Sequence, residues 1–246
     1  MLTPTLQRED GWLLYMAEPP SEASRRWDPL RLLAWSGTLS GGCKFARSAA
    51  GAELSVHAEL PAFAESPERV AAIEAGFAEA AARIGLAASA PAWPAKIPAE
   101  PPQPLATLCR EAGWPFEERA DGSLAVDLGV PGAYVQALVD ALADRIRIDA
   151  ELADVPEAEG PCRTALAELL LRANGAFRMV RAVLGAASRA VLEVALPRTA
   201  GAAELAEALA ALAVAARGCA LEARLVATDE ALAQAFLERS GMSPLR

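Results

Sequence analysis

Among 246 residues there is one histidine, His57, and there are two lysines, Lys44 and Lys96. A lone imidazole cannot build a site of paired histidines. The four cysteines, Cys43, Cys109, Cys162 and Cys219, form no C-x-x-C pair that could hold zinc. They are expected to be free thiols in a reducing cytoplasm. Basic charge is also scarce, with 23 Lys and Arg against 32 Asp and Glu, a formal net charge of -9 and a pI near 4.8. Such a surface repels phosphates and anionic headgroups, so neither nucleic acid nor membrane is an expected partner. Long apolar runs are missing as well. The most apolar stretch, residues 202–216, is interrupted by Glu204 and Glu207 and is too short to span a bilayer. The first ten residues lack the basic and apolar regions of a secretory leader, and a cytoplasmic location is expected. The abundance of alanine reads as high-GC coding, as in many bacteria.

The chain contains instead a pattern that occurs twice. Phe177, Met179 and Arg181 alternate as in a strand, Leu192, Val194 and Leu196 alternate in a second ending at Pro197, and Thr199 opens a long alanine-rich helix. Earlier, Cys43, Phe45 and Arg47 take the first set of places, and Val56, Ala58, Leu60 and Pro61 the second. Val70, Phe77, Ala81 and Ile84 then fall on Leu205, Leu212, Ala216 and Cys219 at helical spacing. A β-β-α unit present twice predicts an α+β fold of two tandem related units, each a twisted antiparallel sheet with helices packed on one face. The expected boundaries are an abbreviated unit at 1–90, a linker at 91–104 holding six prolines, and a complete unit at 105–246. Extended at about 3.1 Å per residue, the linker reaches about 40 Å, enough for the units to lie side by side.

In chain order, Trp12–Ala17 and residues 30–36 read as strands. Ser66 with Pro67 opens a helix, because a capping hydroxyl precedes a proline whose missing N–H costs nothing there. Residues 105–112 read as a helix, and Leu124, Val126 and Leu128 as a strand. Ile146, Ile148, Ala150 and Leu152 alternate with charged neighbours in a half-wet strand. Local pattern favours a helix over 133–142. Residues 163–173 read as a helix closed by Asn174-Gly175, and 228–239 as a last amphipathic helix.

Chemistry-bearing residues are few. His57 lies on the outward face of its strand, where the second unit has Glu193, and reads as a half-exposed surface histidine. Gly37 and Gly42 are spaced as in a phosphate loop, but Cys43 stands at the lysine position and Phe45 where Ser or Thr would hold magnesium. The acidic group Asp149, Glu151, Asp154, Glu157 and Glu159 lacks the glycine and spacing of a calcium loop and reads as a solvated strand end. No cofactor is implied. Arg178 and Arg181, with Lys44 and Arg47 as counterparts, are candidates for a basic stripe facing an acidic partner. Val191, Glu193 and Ala195 line the strand face opposite the helices and are more apolar there than Ser55, His57 and Glu59 of the first unit.

The order helix, strands, helix, two strands, long helix over 105–226 resembles the type III secretion chaperone-like family. It is carried by the Ala165-Leu166-Ala167-Glu168-Leu169-Leu170-Leu171-Arg172-Ala173-Asn174 helix before a hairpin. The resemblance implies a strand over 133–139, against the local pattern. It also implies a protein that binds a partner through an apolar sheet surface. Because members pair as homodimers, it further implies that the tandem chain is a monomer whose units dock as an internal pseudo-dimer. A non-enzymatic partner-binding module is therefore the expectation, with Val191, Glu193, Ala195, Arg178 and Arg181 as contact residues. The alternative is a small-ligand protein or enzyme with its site in the cleft between units.

Overall fold

A computed structural model describes residues 2–20, 27–47, 53–86 and 103–240. The expected linker falls almost wholly outside them, as does Trp93. The chain is α+β, with two antiparallel sheets of four and six strands and six helices among the described residues.

Asp10 and Gly11 both adopt positive φ, the geometry of a tight hairpin turn. They join strand β1 (Thr5–Glu9) to β2 (Trp12–Ala17). Residues 30–36 are a helix and not the expected strand. Asp28 accepts a hydrogen bond from the Leu30 N–H at 3.1 Å, Pro29 fills the first position, and α1 runs Pro29–Ser36. Leu30 and Leu32 mimic a strand's alternation, but Leu32, Leu33 and Ser36 are all buried, as only a helical face allows. A tight turn, Ser40–Gly42, leads to β3 (Lys44–Arg47) and β4 (Leu54–Pro61), completing the order β1-β2-β4-β3. Helix α2 (Pro67–Arg83) begins as Ser66-Pro67 predicts, the Ser66 hydroxyl accepting from the Arg69 N–H at 3.3 Å.

After α3 (Leu105–Glu111) come β5 (Glu117–Glu118), β6 (Leu124–Asp127), β7 (Gln136–Ala141) and β8 (Arg145–Asp154). β7 replaces the helix that local spacing favours, because β6 and β8 bond it on both edges. Helix α4 (Pro161–Ala176), β9 (Arg181–Leu184), β10 (Arg189–Pro197), α5 (Ala202–Thr228) and α6 (Glu230–Arg239) finish the chain in the sheet order β5-β6-β7-β8-β10-β9. The apolar side chains Ile146, Ile148, Ala150 and Leu152 are buried, and α5 packs against β8 and β10.

The first strand of the later unit is not the expected one. Phe177 caps α4, Met179 has φ +65° in a turn closed by the Val180 N–H on the Arg178 carbonyl at 2.7 Å, and β9 begins only at Arg181. Alternation gave neither this strand's start nor its phase, because an odd shift moves every side chain to the other face. Register therefore matches Arg181, opposite Glu193, with Lys44, opposite His57, three residues from the pairing that alternation suggests.

Helix α4 is buried on nearly every side from Ala165 to Leu171. One side meets α5 and α6, and the other lies on β3 of the first sheet. Helix α1 lies in turn on β9. A single apolar cluster runs through both parts of the chain.

Candidate functional site

The two edge strands face each other through a polar seam. Lys44, at the start of β3, is fully buried. Its three N–H donors are all used, reaching Glu59 Oε2 at 2.9 Å and, across the seam, the carbonyls of Phe177 at 2.6 Å and Val180 at 2.8 Å. Burial pulls its pKa down, and the adjoining Glu59 pulls it back up. Arg181, at the start of β9, makes the converse crossing. Its Nη1 donates to the carbonyls of Ser36 and Leu39, both at 3.1 Å, and its Nε to Glu193 Oε1 at 2.8 Å. Asn174 ties the strands directly, with Nδ2 donating to the carbonyls of Phe45 at 2.8 Å and Ala182 at 3.2 Å.

The five residues expected to meet a partner are divided by this seam. Arg181 is buried within it, and Val191 is 6% exposed beside Val183. Glu193 is occupied by Arg181. Ala195 is half-buried opposite Arg147. Arg178 is the outermost, paired with Glu9 at 3.0 Å and lying over the Trp12 ring. In β10, Val191, Glu193 and Ala195 alternate with the buried Leu192, Val194 and Leu196, and the chain itself covers the Val191 end.

Beside the seam lies a cleft of about 330 Å³, lined by Met16, Glu18, Arg47, Ser55 and His57 from the first sheet's side and Arg172, Gly175 and Ala176 from α4. His57 is thus a wall residue of a cleft, its side chain 15% exposed, and not the half-exposed surface histidine that the sequence suggests. Ser55 Oγ stands 2.8 Å from His57 Nε2, and Glu59 Oε1 lies 3.8 Å from Nδ1. Positions i, i+2 and i+4 of one strand thereby bring hydroxyl, imidazole and carboxylate into line, a constellation reminiscent of acyl-transfer triads. Its electrostatics oppose that chemistry. Burial first, and Lys44 second, lower the His57 pKa from 6.5 to about 4. Glu59 is meanwhile committed to Lys44 and to the Met179 N–H at 3.3 Å. The imidazolium that a general base must become is disfavoured here.

Deeper, Arg47 Nη1 approaches Glu168 Oε1 at 3.5 Å, with the arginine side chain 7% and the carboxylate 0% exposed. Burial raises the Glu168 pKa, while Arg47 and Arg172 lower it. Sequence reading did not single out Glu168 or Arg172. Their spacing of four places them on one face of α4, but nothing in the local pattern indicates that β3 lies opposite.

Cys43, Cys109, Cys162 and Cys219 are free, as expected. Among the described residues no cluster of side chains could hold a metal ion, and no helix is long and apolar enough to cross a membrane. No protein-family model matches the chain, and no curated protein matches it at a significant level.

Proposed function

We propose that the chain is a non-enzymatic protein-binding module resembling a type III secretion chaperone, in which two related units occupy the places of two subunits. The observation that carries this reading is the reciprocity of the seam. Each sheet sends the cation at the start of its edge strand, Lys44 or Arg181, to backbone carbonyls at or just after the end of the other side's helix, and each of those helices lies on the other side's edge strand. An isologous contact has this form, in which i meets j and j meets i. This form supports the reading of a pseudo-dimer within one chain, and the four free thiols fit a cytoplasmic setting.

With the Val191 end of the sheet face covered, the partner surface is assigned to the outer side of α5 and the adjoining α6. There Val214 is 58%, Leu221 50%, Leu225 42% and Leu232 43% exposed, an apolar ridge of four large side chains. The spacings of seven and four from Val214 to Leu225 keep three of them on one helical face. The test is affinity capture from native lysate with the wild-type chain and with Val214→Glu/Leu221→Glu. A stoichiometric protein retained by the first and lost by the second supports the reading. A wild-type chain that emerges without protein, or that keeps its partner in the variant, overturns it.

A further inference from the structure

The cleft beside the seam is lined by two arginines whose hydrogen bonding is incomplete among the described residues. Arg47 is 6% exposed, and its Nε has no hydrogen-bond partner among the described residues. Arg172 lines the same cleft, and its buried Nε is likewise without one among the described residues. Arg47 forms an ion pair with Glu168 at 3.5 Å that is not a hydrogen bond, while Arg172 lies over the Phe236 ring at 5.6 Å and donates from Nη2 to the Ser240 carbonyl at 3.2 Å.

Among the described residues Glu168 is the one buried carboxylate facing these two guanidiniums, paired with Arg47 and also influenced by Arg172, so one positive charge there has no described counterpart; Glu18, the cleft's other described carboxylate, is exposed. Leaving buried cations incompletely bonded is costly, and a monoanion removes that cost. The seam itself does not require this arrangement. The place in β9 that corresponds to Arg47 by register is Leu184, a half-buried apolar side chain packed against the core. The remaining wall is apolar in part, with Met16 and Ala176, and the volume of about 330 Å³ is at the small end of ligand pockets.

We propose that this cleft binds a small organic monocarboxylate, its carboxylate received by the donor edges of Arg47 and Arg172 and its apolar body resting on Met16 and Ala176. The shared chemistry is the carboxylate, whether of a free acid or of a short chain terminus. This site is independent of the α5 ridge.

His57 is the chain's single histidine and lines the same cleft, so its imidazole resonances report occupancy at this place alone. Butyrate titrated into the full chain is expected to shift them saturably, and butyramide to leave them unmoved. Arg47→Met and Arg172→Met are each expected to weaken butyrate at least tenfold. If Arg47→Met fails to fold, Arg172→Met decides alone, since its side chain lies outside the seam's hydrogen bonds. An N-acetylated dipeptide with a free terminus, run beside its amide, separates the two sources, and binding of the free form in preference to butyrate assigns a chain terminus. No saturable shift with either carboxylate, equal shifts with butyramide, inorganic phosphate binding in their place, or undiminished binding in Arg172→Met would each overturn the proposal.

Discussion

Lys44 and Arg181 hold matching register positions in the two edge strands, opposite His57 and Glu193, and each crosses to the other side's backbone. A buried lysine with every N–H bonded has no slack. Lys44→Met strands the Glu59 carboxylate and two carbonyls, and removing one partner of a buried pair costs about 3–5 kcal/mol. Urea unfolding is expected to show that loss as a lower midpoint at unchanged slope. Lys44→Met/Glu59→Gln is expected to regain part of it, because the second change removes the orphaned charge. A double variant no more stable than the single would place the loss elsewhere.

Gly41 and Gly42 separate backbone strain from crowding. Both have positive φ, +62° and +70°. A Cβ at Gly41 would come within 2.5 Å of the α2 backbone at Ala72 and Ile73, while one at Gly42 would meet nothing within 4 Å. Gly42→Ala is expected to cost about 1 kcal/mol, the conformational penalty alone. Gly41→Ala should cost clearly more, since α2 must move away from the turn. Paired thermal melts test this, and equal losses would contradict the close approach.

These positions also mark how far the sequence could be read. A compact apolar run was enough for Trp12–Ala17, and alternation for the strand through Ile146 and Ile148, because a sheet with one wet face writes its period into the chain. The same kind of apolar run misled at residues 30–36, where two helical turns are equally apolar, although Asp28-Pro29 was a legible start signal. At Gln136–Ala141 the decision belongs to hydrogen bonds from neighbouring strands, which no local window contains. The candidate site followed the same division. The common face of Ser55, His57 and Glu59 is a matter of period two, but the cleft exists only because α4 brings Arg172 and Ala176 to it.

Two groups give opposed pH dependences. For His57 the folded pKa, about 4, lies below the ordinary 6.5, so the unfolded chain binds more protons in that window and stability rises with pH from about 4 to 6.5. For Asp149, burial lifts the pKa from 3.8 to about 6, Arg147 opposing and Glu193 adding to the rise. Its folded form keeps the proton longer, and stability falls as pH climbs from about 3.8 to 6. At about 1.4 kcal/mol per pKa unit, each effect is roughly 3 kcal/mol. Wild-type stability minus that of His57→Gln is expected to increase with pH through its window, and wild type minus Asp149→Asn to decrease through its own. Denaturant titrations at half-unit pH steps measure both, and a flat difference would remove that group from the account.

Val191 and Ala195 share a strand face yet differ in cover. Val191 is 6% exposed, and Val183 opposite it lies near Gly37, where an added Cβ would come to 3.5 Å from the valine's Cβ. Ala195 is half-buried opposite Arg147 and beyond the end of β9. A carboxylate at 191 has no cation within its own pairings, which are Glu151 and Val183, so Val191→Asp is expected to cost several kcal/mol through burial of an unpaired charge. Ala195→Asp gains Arg147 as a neighbour and is expected to stay within about 1 kcal/mol of wild type. Urea midpoints measure the gap, and small-angle scattering shows whether Val191→Asp opens the seam or only loosens it. Near-equal costs at the two positions would mean that α1 does not seal this end of the sheet.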